Sequence, residues 1–425
     1  MSDSGHIAGR CVCPLCLPAA TLPVPLRTNQ MTSHHRSQPE RSTYVDQHTG
    51  RTIEQLTSSP MADVHTYYDI SPWSPDGRYM VFSAANPKDI TAVHRDTLAT
   101  CNGQLYLMDL ETYELRLLAE NAFYNTHTGA FPVWHPTKCE VFFYTAPEEV
   151  SVVDAGWSRL GRRGGKVLRK MKGGIRQISP DGKLLSWTTN DIRTDLPRGV
   201  YTMPSDAGSG DMQEADLTLV ASTESLYEMT PNNHLFHIDQ MTVGNTKWTP
   251  DAQHMLVAMW IKSTPDDLSP WKSPHRRSIY IVSRDGSERR WLTFFGHHHS
   301  WTAEGTKVLY SGYRVHTDEG QQDEPRLYMI DFDGSGKEVV IDQPLGGHPI
   351  ASPDGSKITT WDREGVVLVD LNKQKVDHIA AFGPHCDHNS HRGTHPHCLW
   401  SLDGSRILYN SAQSGRSHLY RVEAE

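Results

Sequence analysis

Ser71-Pro72-Trp73-Ser74-Pro75-Asp76-Gly77-Arg78-Tyr79-Met80-Val81-Phe82-Ser83 is the stretch on which the reading of the fold turns. One strand-like run leads into Pro75-Asp76-Gly77 and a second leaves it. Asp-Gly between two such runs marks a tight hairpin, because glycine accepts the positive φ that the turn needs. The turn recurs as Trp134-His135-Pro136-Thr137, Ser179-Pro180-Asp181-Gly182, Thr249-Pro250-Asp251-Ala252, Thr302-Ala303-Glu304-Gly305, Ser352-Pro353-Asp354-Gly355 and Ser401-Leu402-Asp403-Gly404. Counted from residues 74, 135, 179, 249, 302, 352 and 401, the period averages about 55 residues. Most turns are followed by two further strand-like runs, as at 104–110 with 114–118, at 277–282 and at 326–331. Four short strands per unit, seven units and no amphipathic helix describe an all-β chain, a seven-bladed β-propeller of four-stranded blades. The last unit has three good strands, ending at 418–422, while an orphan strand, Arg51-Thr52-Ile53-Glu54-Gln55-Leu56, precedes the first. Placed in the last blade, that strand closes the ring and removes an open sheet edge. The propeller is expected over 43–425, and 1–42, rich in Ser, Pro, Thr and His, reads as a disordered lead-in.

Composition narrows the function classes. At 425 residues and 37% hydrophobic, the chain has enough apolar surface for a large core. No apolar run approaches the roughly 18 residues of a membrane helix, so no membrane partner is expected. A net charge of -9 argues against nucleic acid. No secretory signal is evident, and 7 cysteines, an odd count, form no disulfide framework, so a cytoplasmic location is expected. Cys11, Cys13 and Cys16 are three thiols without a clear fourth zinc ligand.

Histidine is the unusual count, 24 of 425. The inner strand of each blade lines the channel and opens onto one face. Four residues before the turn stand His298 in blade five, His348 in blade six and His397 in blade seven. His395 lies two residues before His397, on the same strand face. His127, Arg176 and His237 lie near the inner strands of blades two, three and four, and His65, Tyr67 and Tyr68 approach the first. Imidazoles gathered this way resemble a facial metal site with open positions for substrate oxygens. Histidines that merely line a wet channel are the plainer alternative. A second group, His385, Cys386, His388 and His391, lies in the loop leading to blade seven and reads as a polar loop or a separate ligand source.

Gly296-His297-His298-His299-Ser300-Trp301 and Thr394-His395-Pro396-His397, each running into its turn, resemble the metal-binding segments of oligogalacturonate lyases, the propellers of polysaccharide lyase family 22. The stretches 49–57 and 65–69 are similar in style. The resemblance implies a metal-dependent lyase that cleaves uronic-acid oligosaccharides by β-elimination, with a divalent ion, manganese first and calcium or zinc as alternatives. It carries the ligand histidines over to His298, His395 and His397. The family's glutamine ligand falls on Arg392, so His391 or His348 is expected to substitute. The family's base falls on Asn245, which cannot take a proton. His237 is then the provisional base, Asn245 a hydrogen-bonding partner of the substrate, and Arg176 or Arg198 the charge-neutralising group. Tyr67 and Tyr68 stack on sugar rings or pack between blades.

These departures from the family's pattern also fit a related substrate, such as a rhamnose-glucuronate or ulvan-type linkage. The repeats resemble TolB-type propellers as well, which makes a non-catalytic binding scaffold the rival reading. No Gly-x-Ser-x-Gly elbow accompanies the blades, so a serine peptidase is not expected.

Overall fold

The computed structural model describes residues 36–425 except 91–99, 148, 162, 190–195, 208–209, 212–215, 236, 262–276, 295–296, 314–324 and 383–394. Cys11, Cys13 and Cys16, His385, Cys386, His388, His391 and Arg392 lie outside the described residues.

Seven sheets, antiparallel but for the short strand Gly210–Asp211 that joins blade two in parallel, make the molecule an all-β, seven-bladed propeller. Blade one contains Ala62–Val64, Tyr79–Ala85, Thr100–Asp109 and Leu115–Asn125. The inner strands of blades four, five, six and seven are Met241–Trp248, His297–Trp301, Ile350–Ala351 and Leu399–Trp400. In the last blade the strand Thr52–Gln55 pairs with His418–Glu423, Ile53 opposite Val422, so the two ends of the chain share one sheet. Ser42–Val45 adds a fifth strand outside it. Residues 36–41, which were expected to be disordered, belong to the folded body instead. Arg36 sends one guanidinium nitrogen to the fully buried Asp63 at 2.6 Å and another to Glu40 at 2.7 Å, and it lies over the Phe82 and Tyr106 rings. Among the described residues no helix is long and apolar enough to cross a membrane.

The repeated turn has a local cause. The Ser74 hydroxyl donates to Asp76 at 2.5 Å and accepts from the Tyr79 amide at 2.8 Å, while the Gly77 amide closes on the Ser74 carbonyl at 2.8 Å. Gly77 has φ 72°, which a side chain disfavours. The same hydroxyl-to-carboxylate bond forms at Ser179–Asp181, Thr249–Asp251, Ser352–Asp354 and Ser401–Asp403. The Ser74 hydroxyl also holds the Asp76 carboxyl below its ordinary range.

Tryptophans just before the turns join neighbouring blades. The indole N–H of Trp134 donates to the Pro72 carbonyl, Trp73 to that of Trp400, Trp400 to that of Ile350 and Trp301 to that of Lys247. Each bond pairs an indole donor with a backbone carbonyl of the neighbouring blade, so apolar packing between blades leaves neither group unsatisfied. The hydrophobic core is correspondingly a ring of clusters between adjacent sheets, such as Trp73, Phe82 and Leu408 between blades one and seven.

Candidate functional site

The inner strands begin at one mouth of the channel, and four of them are kinked at the same place. Four residues before the turn, Phe131, Asn245, His298 and His397 have φ of 53°, 52°, 22° and 46°. Left-handed backbone in a residue with a side chain costs about 1–2 kcal/mol. In blades four and five the register shifts at this point, between Gly244 and Lys247 and between His297 and His299. A bulge of this kind re-aims a side chain away from strict strand alternation.

Two of the kinked residues, His298 and His397, belong to a chain of imidazoles drawn from four blades. The ligand atoms of His127, His395 and His397 all lie within 4.8 Å of one another. The His127 ring stands 4.2 Å from that of His395 and 4.6 Å from that of His397, between centroids. His348 adjoins His397 at 4.9 Å, and His298 lies against His348 at 3.5 Å. Tyr67 sits among them, within 6.4 Å of His127, His298, His348 and His397. The segment carrying His395 and His397 is held by Asn410, whose side-chain amide donates to the His395 carbonyl and whose backbone N–H donates to the Pro396 carbonyl.

Hydrogen bonds to the rings decide which nitrogen has a lone pair to offer. The Nδ1 of His397 donates to the Thr66 carbonyl at 3.1 Å, and the Nδ1 of His298 to the Gly347 carbonyl at 3.2 Å. A carbonyl can only accept, so both rings carry their hydrogen on Nδ1 and keep the Nε2 lone pair. The Nε2 of His397 is buried without a hydrogen-bond partner. A buried polar atom in that state, beside two more imidazoles, fits a divalent first-row metal ion. His348 is the reverse case. The indole N–H of Trp361 donates to its Nδ1 at 2.7 Å, so the hydrogen sits on Nε2. In this tautomer the neutral His348 ring has no lone pair on Nε2.

Burial keeps these rings neutral, as metal ligation requires. It pushes His127 down to about 4 and His65 to about 3. It pushes His397 well below its ordinary value, helped by repulsion from His127 and the other neighbouring imidazoles.

A second buried group lies beside the imidazoles. Arg176 donates to both oxygens of Asp69 at 2.7 Å, and Lys247 reaches the same carboxylate at 3.1 Å. The Lys247 ammonium also donates to the Tyr68 hydroxyl and the His299 carbonyl. Burial pulls Lys247 down to about 8, against the pull of Asp69. Burial pushes the Asp69 carboxyl up, but Arg176 and Lys247 more than offset this and hold it below its ordinary value. Two cations share one carboxylate, so the group has an excess positive charge. Arg176 also lies 5.1 Å from the Tyr67 ring centre, which brings this charge to the imidazoles.

The remaining sequence-derived residues divide clearly. Asn245 is half-buried at its kink in blade four. His237 is not brought to the cluster: it is 72% exposed and caps a short 3-10 helix at Ile238–Gln240, its Nδ1 accepting from the Asp239 amide. Arg198 holds that segment through the Ile238 and Met241 carbonyls, whereas Arg176 stands at the mouth. The sequence reading passed over Lys247, Asp69 and Trp361. Lys247 carried a signal, since it lies two residues from Asn245 on an inner strand. Asp69 acquires meaning only through the partners that other blades bring to it, and Trp361 only through the strand pairing that sets it against His348.

No family model matches the chain, and no curated protein matches it. Solved structures do. An oligogalacturonate lyase in complex with manganese superimposes with a TM-score of 0.64 at 16% identity, over 91% of this chain and 96% of its own. An oligogalacturonate lyase from Vibrio parahaemolyticus gives 0.64 at 14% identity, over 91% and 97%. The β-propeller domain of Cps50 (Swd1) from Myceliophteria thermophila gives 0.50 at 10% identity, over 88% and 99%. Identities this low establish a shared fold.

Proposed function

We propose that the chain is a divalent-metal-dependent lyase that cleaves uronate-containing oligosaccharides by β-elimination. The observation that carries this reading is the set His127, His395 and His397 within 4.8 Å, with the Nε2 of His397 left unpartnered by the hydrogen bond on its other nitrogen. The likeness to a propeller lyase solved with manganese supports it. So do the motif resemblances around His298 and His397.

His127, His395 and His397 would hold the ion, His127 taking the place that the sequence reading gave to His298. An all-imidazole donor set favours a transition ion such as zinc over calcium, which takes oxygen ligands, and the likeness to a lyase solved with manganese supports that ion. When bound, the ion neutralises the uronate carboxylate and so acidifies the neighbouring C5–H. Arg176, with Lys247 behind it, adds positive charge for the same carboxylate. His298 keeps the Nε2 lone pair and is the base in this reading, in place of His237. Its Nε2 takes the C5 proton, the electron pair forms the C4–C5 double bond, and the C4–O bond breaks. The departing oxygen is protonated from water. Asn245 hydrogen-bonds the substrate, and Tyr67 offers a face on which a sugar can rest.

The test is a screen of uronate oligosaccharides, galacturonate and rhamnose-glucuronate types included, with manganese or zinc added. Activity appears as new ultraviolet absorbance from an unsaturated uronate. No such signal from any member, in protein shown to hold the metal, would leave a binding scaffold as the function.

A further inference from the structure

We propose that His348 is a hydrogen-bond donor to the substrate's carboxylate and not a metal ligand, and that Trp361 fixes it in that role. The proposal rests on the uronate reading above and assigns a residue to it.

His348 is fully buried among the rings of His298, His395 and His397. By position it is equivalent to His298 and His397, four residues before its turn. Its bonding sets it apart. Both of those rings give their Nδ1 hydrogen to a backbone carbonyl, whereas His348 accepts at Nδ1 from an indole. An indole nitrogen only donates, so the direction of the bond cannot reverse. The two rings are tilted by only 22°, which lets the indole N–H meet the lone pair in the plane of the imidazole. The Nε2 of His348 thus holds a hydrogen on the ring edge away from Trp361. To ligate through Nε2, the ring would have to give up that proton or lose the 2.7 Å bond.

The backbone agrees with the split. His298 and His397 have φ of 22° and 46°, whereas His348 is not among the non-glycine residues with positive φ. A carboxylate bridging toward a cation offers a second oxygen that needs a donor, and a neutral N–H next to three imidazoles supplies one without adding charge. His348 is therefore a residue that reads the carboxylate of the substrate. Trp361 is a positioning residue, acting through His348.

The first measurement needs no variant in its readout. Long-range 1H–15N NMR of the metal-free full-length protein, with the His348 signals assigned by their loss in His348→Gln, should show the hydrogen on Nε2. Titration calorimetry then compares wild type with His348→Ala, His348→Gln and Trp361→Phe, using Mn2+ alone and trigalacturonate with Mn2+ present. Mn2+ affinity should stay within about twofold in all three. Trigalacturonate affinity should fall about tenfold in His348→Ala and recover most of that in His348→Gln, which keeps an N–H donor. Trp361→Phe should weaken trigalacturonate several-fold and lower the Nε2-protonated fraction. Loss of Mn2+ affinity by tenfold or more in His348→Ala, the size expected for a ligand or its direct support, would overturn the assignment. A hydrogen found on Nδ1 would do the same. Wild-type protein that takes Mn2+ but no uronate oligomer refutes the uronate reading itself. The NMR and Mn2+ results would still decide donor against ligand.

Discussion

The Nδ1 hydrogen of His397 is given to the carbonyl oxygen of Thr66, at 3.1 Å across the junction of the last blade and the first. The bond links the two ends of the ring and selects the tautomer that presents Nε2 at the mouth. Closure of the fold and preparation of the candidate metal ligand are one event.

Substituting His397 or His127 by alanine should abolish stoichiometric metal binding. The expected loss in Mn2+ affinity is about a hundredfold or more, since each change removes one of the three proposed ligands. Elemental analysis of protein purified without a histidine tag, with circular dichroism to confirm the fold, measures it. Full metal occupancy in both variants would remove the basis of the proposed site.

His298→Asn separates base from ligand. As the base, His298 can be replaced with metal content unchanged while turnover falls about 10²- to 10⁴-fold. Parallel loss of metal and activity would instead return His298 to the ligand set.

The buried imidazoles make stability depend on pH. His127 and His65 have folded values near 4 and 3, below the ordinary 6.5. The unfolded chain therefore binds more protons than the folded one below about pH 6.5. Their contribution is full above that value and is lost as the pH falls toward 4, at about 1.4 kcal/mol per pH unit for each group. Thermal unfolding of the metal-free protein between pH 7.5 and 5 should show Tm dropping, and bound Mn2+ should oppose the drop. A flat profile would contradict the buried, neutral state of these rings.

Arg36→Ala should destabilise the protein by about 3 kcal/mol. It leaves the fully buried Asp63 carboxylate without its guanidinium, with the His418 imidazole still 3.2 Å away. Adding Asp63→Asn should recover part of the loss, because the uncompensated charge is then gone. Denaturant unfolding of the two variants checks both statements, and additive losses would show that the pair is not coupled.

Asn245→Gly sets stability against function. Glycine relieves the left-handed backbone at φ 52°, for a gain of up to about 1 kcal/mol, while the proposed hydrogen bond to the substrate is removed. The expected variant is at least as stable as wild type and binds trigalacturonate more weakly. Unchanged binding would take Asn245 out of the site.

The sequence alone determined the repeat. Ser-Pro-Asp-Gly turns are local objects, closed by a hydroxyl, a carboxylate and a glycine within a few residues. Their spacing counts blades without any knowledge of contacts. It also placed His298, His348 and His397 at one blade position, and His395 one alternation away. What it left undecided was how these equivalent residues differ. His397 faces Thr66 across 331 residues of chain, His298 faces Gly347, and His348 faces Trp361. The proton on an imidazole is placed by whichever donor or acceptor stands against its other nitrogen. Trp361 stands on the adjoining strand of the same blade as His348, but Thr66 and Gly347 come from the next blade around the ring. The joining of His127 to His395 and His397, and of Asp69 to Arg176 and Lys247, has the same origin, so only the tertiary structure assigns them.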